Sequence, residues 1–242
     1  PISALCIADR WRDRRKPWPG SLTWCYLRDQ RGLPETIIRA AIRYGGLREG
    51  PYGSMWAAHL DGDGTVTGWE ERGPEWRGFA TGGGKVLFRL GPANVSRFCV
   101  TEAAIDAMSL AAIEGQQSDN LYLSTGGGWA PATVAAIRAL SARPGARLVA
   151  ATDNNRQGEV YAERLAVIAQ EVGCDYERLR PAAEDWNEQL HPGSGMKEGE
   201  EGEENPAAAC PPAASRVKLR PAAPALDTAG RRGGCGGGVR KD

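Results

Sequence analysis

One stretch constrains the fold more than any other. Between about residues 93 and 192, short β-prone runs alternate with helical runs, and the connectors between them are brief. Phe98–Thr101 is a first strand, and Ala103–Ile113 is an Ala-rich helix stopped at Gly115. Leu121–Ser124 is a second strand, ended by Gly126-Gly127-Gly128. Pro131–Ala142 is a second helix, with Pro at its first turn and Pro144-Gly145 past its end. Arg147–Thr152 is a third strand, Glu159–Val172 a third helix closed by Gly173, and Cys174–Leu179 a fourth strand. Strands separated by helices pair in parallel and carry those helices on their faces. The expected fold class is therefore α/β.

The flanks read differently. Residues 1–92 hold six of the eight tryptophans and look like a small α+β domain. Leu33–Tyr44 is a helix with Pro34 in its first turn, an apolar stripe of Ile37, Ile38, Ala41 and Ile42, and a Gly45-Gly46 stop. Ser54–Leu60, Thr65–Glu70 and Val86–Leu90 are short strands, the first two joined at the turn signal Asp61-Gly62-Asp63-Gly64. Residues 193–242 are Gly, Glu, Pro and Ala without periodicity. Such a segment buries too little apolar surface to offset its ordering entropy and is expected to be a disordered tail.

Chemistry gathers where the α/β pattern says it should. In an open parallel sheet, ligands bind at the carboxyl ends of the strands. Glu102 follows the first strand, the Gly126–Gly128 loop the second and Asp153-Asn154-Asn155 the third, and Asp185 lies just past the fourth. Residues 153 and 155 share a side of the chain if that segment is extended. Oxygen ligands of this kind suit a hard cation such as Mg²⁺, with Mn²⁺ as the alternative. Such an ion bridges to phosphate. A lone acid at a strand end is usually a helix cap; three in order on one sheet edge are more than that.

The same residues carry a family resemblance. VTEAAIDAMSL (Val100–Leu110) resembles the first Toprim motif, with Glu102 and Asp106 at its two acidic positions. ATDNNRQGE (Ala151–Glu159) resembles the Toprim Asp-x-Asp motif. Asp153 matches its first acid, and Asn155 stands where the pattern has the second. EDWNEQL (Glu184–Leu190) is similar to the closing segment of Toprim-like primase modules, through Asp185 and Asn187. Ala103 replaces the usual Gly. Upstream, Gly68–Leu90 resembles an uncharacterised domain that commonly precedes Toprim-like modules in plasmid and mobile-element proteins.

The resemblance implies a Toprim-like parallel-sheet core with flanking helices, a metal-binding catalytic domain over 93–192. It implies Glu102 and Asp153 as catalytic residues, Glu102 being the general acid/base or, in some members, a metal ligand. Glu102, Asp153, Asn155 and Asp185 form the implied metal set. Asp106, Gly126, Gly127, Arg156 and Asn187 are supporting residues. The implied function is Mg²⁺-dependent phosphodiester chemistry on nucleic acid, either primase-like nucleotidyl transfer or nicking in replication or transfer of mobile DNA. The alternative is a catalytically weakened module that only binds nucleic acid or a replication partner. Single-stranded DNA or RNA, nucleotides, and replication or conjugation proteins are the expected partners.

Composition narrows the field. Lys+Arg and Asp+Glu are equal at 30 each, so any nucleic-acid contact comes from local patches. Arg10–Lys16, interrupted by Trp11 and Asp13, is either such a patch or, more simply, a solvated face. The six cysteines show no Cys-x-x-Cys pair, against a zinc site, and their scatter argues against a disulfide scaffold. A reducing cytoplasm is expected. No apolar run approaches 18 residues and no signal peptide is visible, although the chain opens on Pro1 rather than Met. Thr81–Lys85 (TGGGK) lacks the first Gly and final Ser/Thr of a phosphate loop, and no G-x-G-x-x-G follows the first strand of the core.

Overall fold

The computed structural model describes residues 6–191; the expected tail at 193–242 lies outside them. The chain begins with α1 (Ile7–Arg12) and α2 (Leu22–Cys25), the latter capped by the Ser21 hydroxyl, which accepts the Trp24 amide. A π-helical turn at Tyr26–Gln30 leads to α3 (Glu35–Arg43), which buries Ile37, Ile38, Ala40 and Ala41. Four antiparallel strands follow in spatial order: β1 (Leu47–Glu49), β2 (Met55–Leu60), β3 (Val66–Gly73) and β4 (Trp76–Phe79). The predicted hairpin turn joins β2 to β3, with Asp61 Oδ1 accepting the amides of Asp63 and Thr65. Helices α1 and α2 and strands β1 and β4 carry no strong periodicity and were not foreseen.

The second sheet is built as the alternation predicts. Its elements are β5 (Phe88–Leu90), β6 (Arg97–Thr101), α4 (Ala104–Ile113), β7 (Asn120–Ser124), α5 (Pro131–Ser141), β8 (Arg147–Ala150), α6 (Arg156–Val172), β9 (Asp175–Arg178) and α7 (Trp186–Leu190). The strand order is β5-β7-β6-β8-β9. Strands β7, β6, β8 and β9 are parallel, and β5 joins as an antiparallel edge. This α/β core with flanking helices is the expected fold class. Strand β5 comes from the first 92 residues, and Leu60 at the end of β2 bridges Leu87 beside it.

Packing crosses the same boundary. One core layer joins Ile38 of α3, Met55 and Ala57 of β2, Met108 and Leu110 of α4, Tyr122, and Trp186 of α7. The opposite face of the second sheet packs Ile137 of α5 and Leu165 and Ile168 of α6 over Phe98, Val100 and Leu148. A third cluster holds Trp11, Trp56 and Trp69. Trp56 stacks on Trp69 with ring centroids 4.0 Å apart. Arg10 lies over Trp69 at 4.8 Å, Arg14 over Trp56 at 5.1 Å and Arg48 over Trp11 at 5.3 Å. Part of the Arg10–Lys16 run is thus a packed arginine–tryptophan stack rather than a wholly solvated face. Each buried indole removes roughly 150–250 Å² from water, about 4–6 kcal/mol of transfer free energy before entropy is counted. Among the described residues, no helix is long and apolar enough to cross a membrane.

Candidate active site

The strand order creates a switch point. The crossover after β6 leads to β7 on one side of the sheet, with α4 packed on one face. The crossover after β8 leads to β9 on the other side, with α6 on the opposite face. Neighbouring strands β6 and β8 therefore end on either side of a crevice, the place where open α/β sheets bind ligands. Glu102 follows β6 and Asp153 follows β8.

Local chemistry holds Asp153 in place. Arg178 at the end of β9 donates through Nη1 to the carbonyls of Ala150 (2.9 Å), Thr152 (3.0 Å) and Leu179 (2.6 Å). Its Nη2 donates to the Asp153 carbonyl (3.1 Å) and to Glu159 Oε1 (2.7 Å). Gly158 lets the first turn of α6 approach that backbone, since a Cβ there would lie 1.9 Å from the Asp153 carbonyl oxygen. Asp185 caps α7, accepting the Glu188 amide at 2.7 Å. The Asn154 amide bonds the Glu184 carbonyl (2.8 Å) and the Trp186 indole bonds the Ala151 carbonyl (2.7 Å). These contacts stitch the start of α7 to the end of β8.

The result is a cleft of about 320 Å³ whose lining includes Glu102, Asp106, Asp153, Asp185, Asn187 and Gly127 together with three arginines, Arg31, Arg72 and Arg77. Burial pushes the Asp153 carboxyl up to about 7, helped by the charges of Glu102, Asp185 and Glu184 and opposed by Arg178. Burial also raises Glu102, against the Asp153 backbone and the Arg178 charge. Asp106, projecting from the apolar helix α4, is raised well above the usual carboxylate range, by burial first and then by Asp185, Asp153 and Glu70, with Arg72 opposing.

Glu102 Oε1 and Asp153 Oδ1 are buried without a hydrogen-bond partner in the structure. Orphaned, mutually repelling carboxylate oxygens are what a hard cation satisfies. Among the described residues, no three His, Cys, Asp or Glu side chains converge into a ready-made cage. Mg²⁺ does not require one, because it is usually held by one or two carboxylates, waters and substrate phosphate. The donor set therefore fits the ion.

The predicted residues divide between the cleft and its frame. Glu102, Asp106, Gly127, Asp153, Asp185 and Asn187 come together there. Asn187 is also a tie, its amide donating to the Arg31 carbonyl (2.7 Å) and to Ser109 Oγ (3.1 Å). Asn155 stands outside the lining and caps α6, its Oδ1 accepting the Gly158 amide at 2.9 Å. Arg156 is the exposed first residue of that helix. The glycine loop is framed from both sides. The Gly127 amide bonds the Glu102 carbonyl (2.8 Å), and Lys85 of the TGGGK segment donates to the Gly126 carbonyl (2.8 Å). A Cβ on Gly126 would lie 2.9 Å from the buried His59 ring.

The arginine wall was missed. Arg72 pairs with Glu70 at 2.7 Å, and the other Glu70 oxygen accepts the Ala104 amide at 3.0 Å. A carboxylate from the first sheet thus caps α4, whose own cap residue, Ala103, has no side-chain acceptor. The available signal was the spacing of Glu70 and Arg72, which puts them on one face of a strand.

Fold and site together define an α/β protein with a carboxylate-lined switch-point cleft. Residues 99–190 match the Toprim-like family, and residues 25–95 match the family described as protein of unknown function (DUF3991). The chain thus carries a Toprim-like domain preceded by a domain of unknown function. No curated protein matches it by sequence. Three solved structures are similar in fold. The primase fragment of the bacteriophage T7 primase-helicase protein is 18% identical, with a TM-score of 0.47 over 68% of this chain and 67% of that one. The DnaG primase catalytic domain bound to ssDNA is 15% identical, with a TM-score of 0.49 over 75% and 71%. The E. coli primase catalytic core is 16% identical, with a TM-score of 0.48 over 75% and 73%. At these values the likeness assigns no residue and no chemistry to this chain.

Proposed function

We propose that the chain carries out Mg²⁺-dependent phosphodiester chemistry on nucleic acid, primase-like nucleotidyl transfer or nicking, in the replication or transfer of mobile DNA. The observation that carries this is the pairing in one cleft of orphaned, raised carboxylates with an arginine wall. Asp153 and Asp185 hold the ion, with Glu102 as a third ligand or as the general acid/base. When bound, the ion neutralises charge on phosphate oxygens. Arg31, Arg72 and Arg77 face those oxygens and stabilise the charge that builds during transfer. Glu102, with its raised carboxyl, accepts or returns the proton of a reacting hydroxyl. In this reading residues 93–192 form the catalytic domain, residues 1–92 supply the arginine wall, and the protein works in the cytoplasm.

The deciding assay is nucleotide incorporation and cleavage on single-stranded DNA with and without Mg²⁺, comparing wild type with Glu102→Gln and Asp153→Asn. Metal-dependent product that both variants lose by at least 100-fold is expected. Product that survives in both variants refutes the assignment. Binding without turnover in the wild type replaces it with the binding-only alternative.

A further inference from the structure

Helix α4 begins without a cap of its own. The first amides of a helix have no partner inside it, and Ala103 at the cap position has no side-chain acceptor to offer them. The acceptor comes from 34 residues earlier, where Glu70 Oε2 takes the Ala104 amide at 3.0 Å.

Two acids of the cleft ride on this turn. Glu102 stands two residues before Ala104 and Asp106 two residues after it, and both line the cleft. The Glu102 carbonyl is fixed from the glycine loop, by the Gly127 amide at 2.8 Å and the Ser124 hydroxyl at 3.1 Å. The Ala104 amide is fixed by Glu70. The segment that carries both acids is thus pinned at two points, and one pin belongs to a different sheet.

Glu70 is itself held in place. It is 3% exposed, and its other oxygen takes Arg72 Nε at 2.7 Å, a charge-assisted bond. Glu70 and Arg72 share one face of β3, and Arg72 stands directly opposite Arg77 on β4. Both arginines line the cleft, whereas Glu70 does not. Like charges directly opposite each other repel, and the neighbouring carboxylate offsets that repulsion. One buried carboxylate therefore links the start of α4 to the arginines. Burying a charge is expensive, and a Ser or Asp at position 103 would cap the helix without it. A local cap would serve stability alone. A cap shared with Arg72 also fixes how far the acids lie from the arginines.

We propose that Glu70 is a positioning residue of the cleft, holding Glu102 and Asp106 in register with the arginines through the Ala104 amide and Arg72. It touches no reacting atom and acts through α4. The domain of unknown function thereby sets the geometry of the Toprim-like site as well as lining it. The proposal rests on the phosphodiester reading above.

The test uses the full chain and variants at position 70, each checked by thermal melting to be folded at the assay temperature. Glu70→Gln keeps the length and an oxygen for the Ala104 amide. Glu70→Asp keeps the charge but withdraws it by about 1.5 Å, one carbon–carbon bond. Glu70→Ala removes both. Incorporation or cleavage on single-stranded DNA with Mg²⁺ gives kcat and KM, and amide hydrogen exchange is followed along the chain. Glu70→Ala and Glu70→Asp should lower kcat about 30-fold or more, since a misplacement of about 1 Å can cost about 100-fold. KM should stay within about three-fold, because the acids act on the transition state. Exchange at Ala104–Asp106 should speed about ten-fold or more while the strands of both sheets hold. Glu70→Gln should stay within about five-fold of wild-type kcat. If Glu70→Ala does not fold, the Asp and Gln variants decide. Wild-type kcat in Glu70→Asp overturns the proposal. So does a higher kcat in Glu70→Asp than in Glu70→Gln, which makes charge rather than reach the property that matters. Exchange that speeds evenly along the chain also overturns it, because that is a stability role. A wild type without turnover sinks the phosphodiester reading separately, and the rise of Tm with Mg²⁺ then decides, since it needs no reaction. A Mg²⁺ midpoint weakened about five-fold or more in Glu70→Asp keeps the positioning role, and an unchanged midpoint overturns it.

Discussion

Replacing Asp153 with Asn should stabilise the metal-free protein at neutral pH and leave it unchanged in acid. The Asp153 carboxyl moves from its ordinary 3.8 to about 7 on folding. At 1.36 kcal/mol per pH unit, that is about 4 kcal/mol. The residue is only partly buried, so solvent screening roughly halves the figure, to about 2 kcal/mol. The sign follows from linkage. A raised acid favours the fold below its unfolded value, and this contribution is lost as pH rises through the folded value. Wild-type stability in EDTA should therefore fall between about pH 4 and pH 7. Asp153→Asn should lack that slope and melt about 4–8 °C above wild type at pH 7.5. Mg²⁺ should raise the wild-type Tm at that pH through linkage and move the variant much less. The measurement is thermal melting from pH 4 to 8, with EDTA and with Mg²⁺. Parallel pH profiles for the two proteins would refute the reasoning, because the repulsion assigned to Asp153 would not exist.

Arg178→Met removes a guanidinium that bonds four carbonyls and Glu159, and should cost about 3 kcal/mol or more in urea unfolding. Gly158→Ala would gain about 1 kcal/mol from helix propensity alone. The clash with Asp153 should reverse the sign, to a net loss of about 1–3 kcal/mol in the same assay. Asn155→Asp keeps a good cap at the start of α6 and lies outside the cleft lining, so stability should stay within about 0.5 kcal/mol and Mg²⁺ affinity should hold. A large change in that affinity would put residue 155 in the metal shell. Lys85→Met frees the Gly126 carbonyl and should speed hydrogen exchange at the Gly127 amide.

The alternation of strands and helices after residue 93 was legible because it is written in local periodicity, and topology then fixes which strand ends gather. That is why Glu102, Asp153 and Asp185 were found without coordinates, while Asp106 came from the Toprim resemblance of Val100–Leu110. Some local signals misled. Helix α6 was expected to begin at Glu159, yet it begins at Arg156. Gly158 is there for the Asp153 carbonyl, a contact no propensity encodes. Asn155 stands where the Asp-x-Asp motif has its second acid; with the helix starting at the next residue its oxygen caps α6, and the residue lies outside the cleft lining. What only the tertiary structure decided is the other half of the cleft. Arg31, Arg72 and Arg77, the Glu70 cap on α4 and the Lys85 hold on the glycine loop all come from the first 92 residues. They reach the site through pairings distant in sequence, such as β5 with β7 and Leu60 with Leu87. A side chain's neighbours across such a distance leave no periodicity in the chain, so packing alone assigns them.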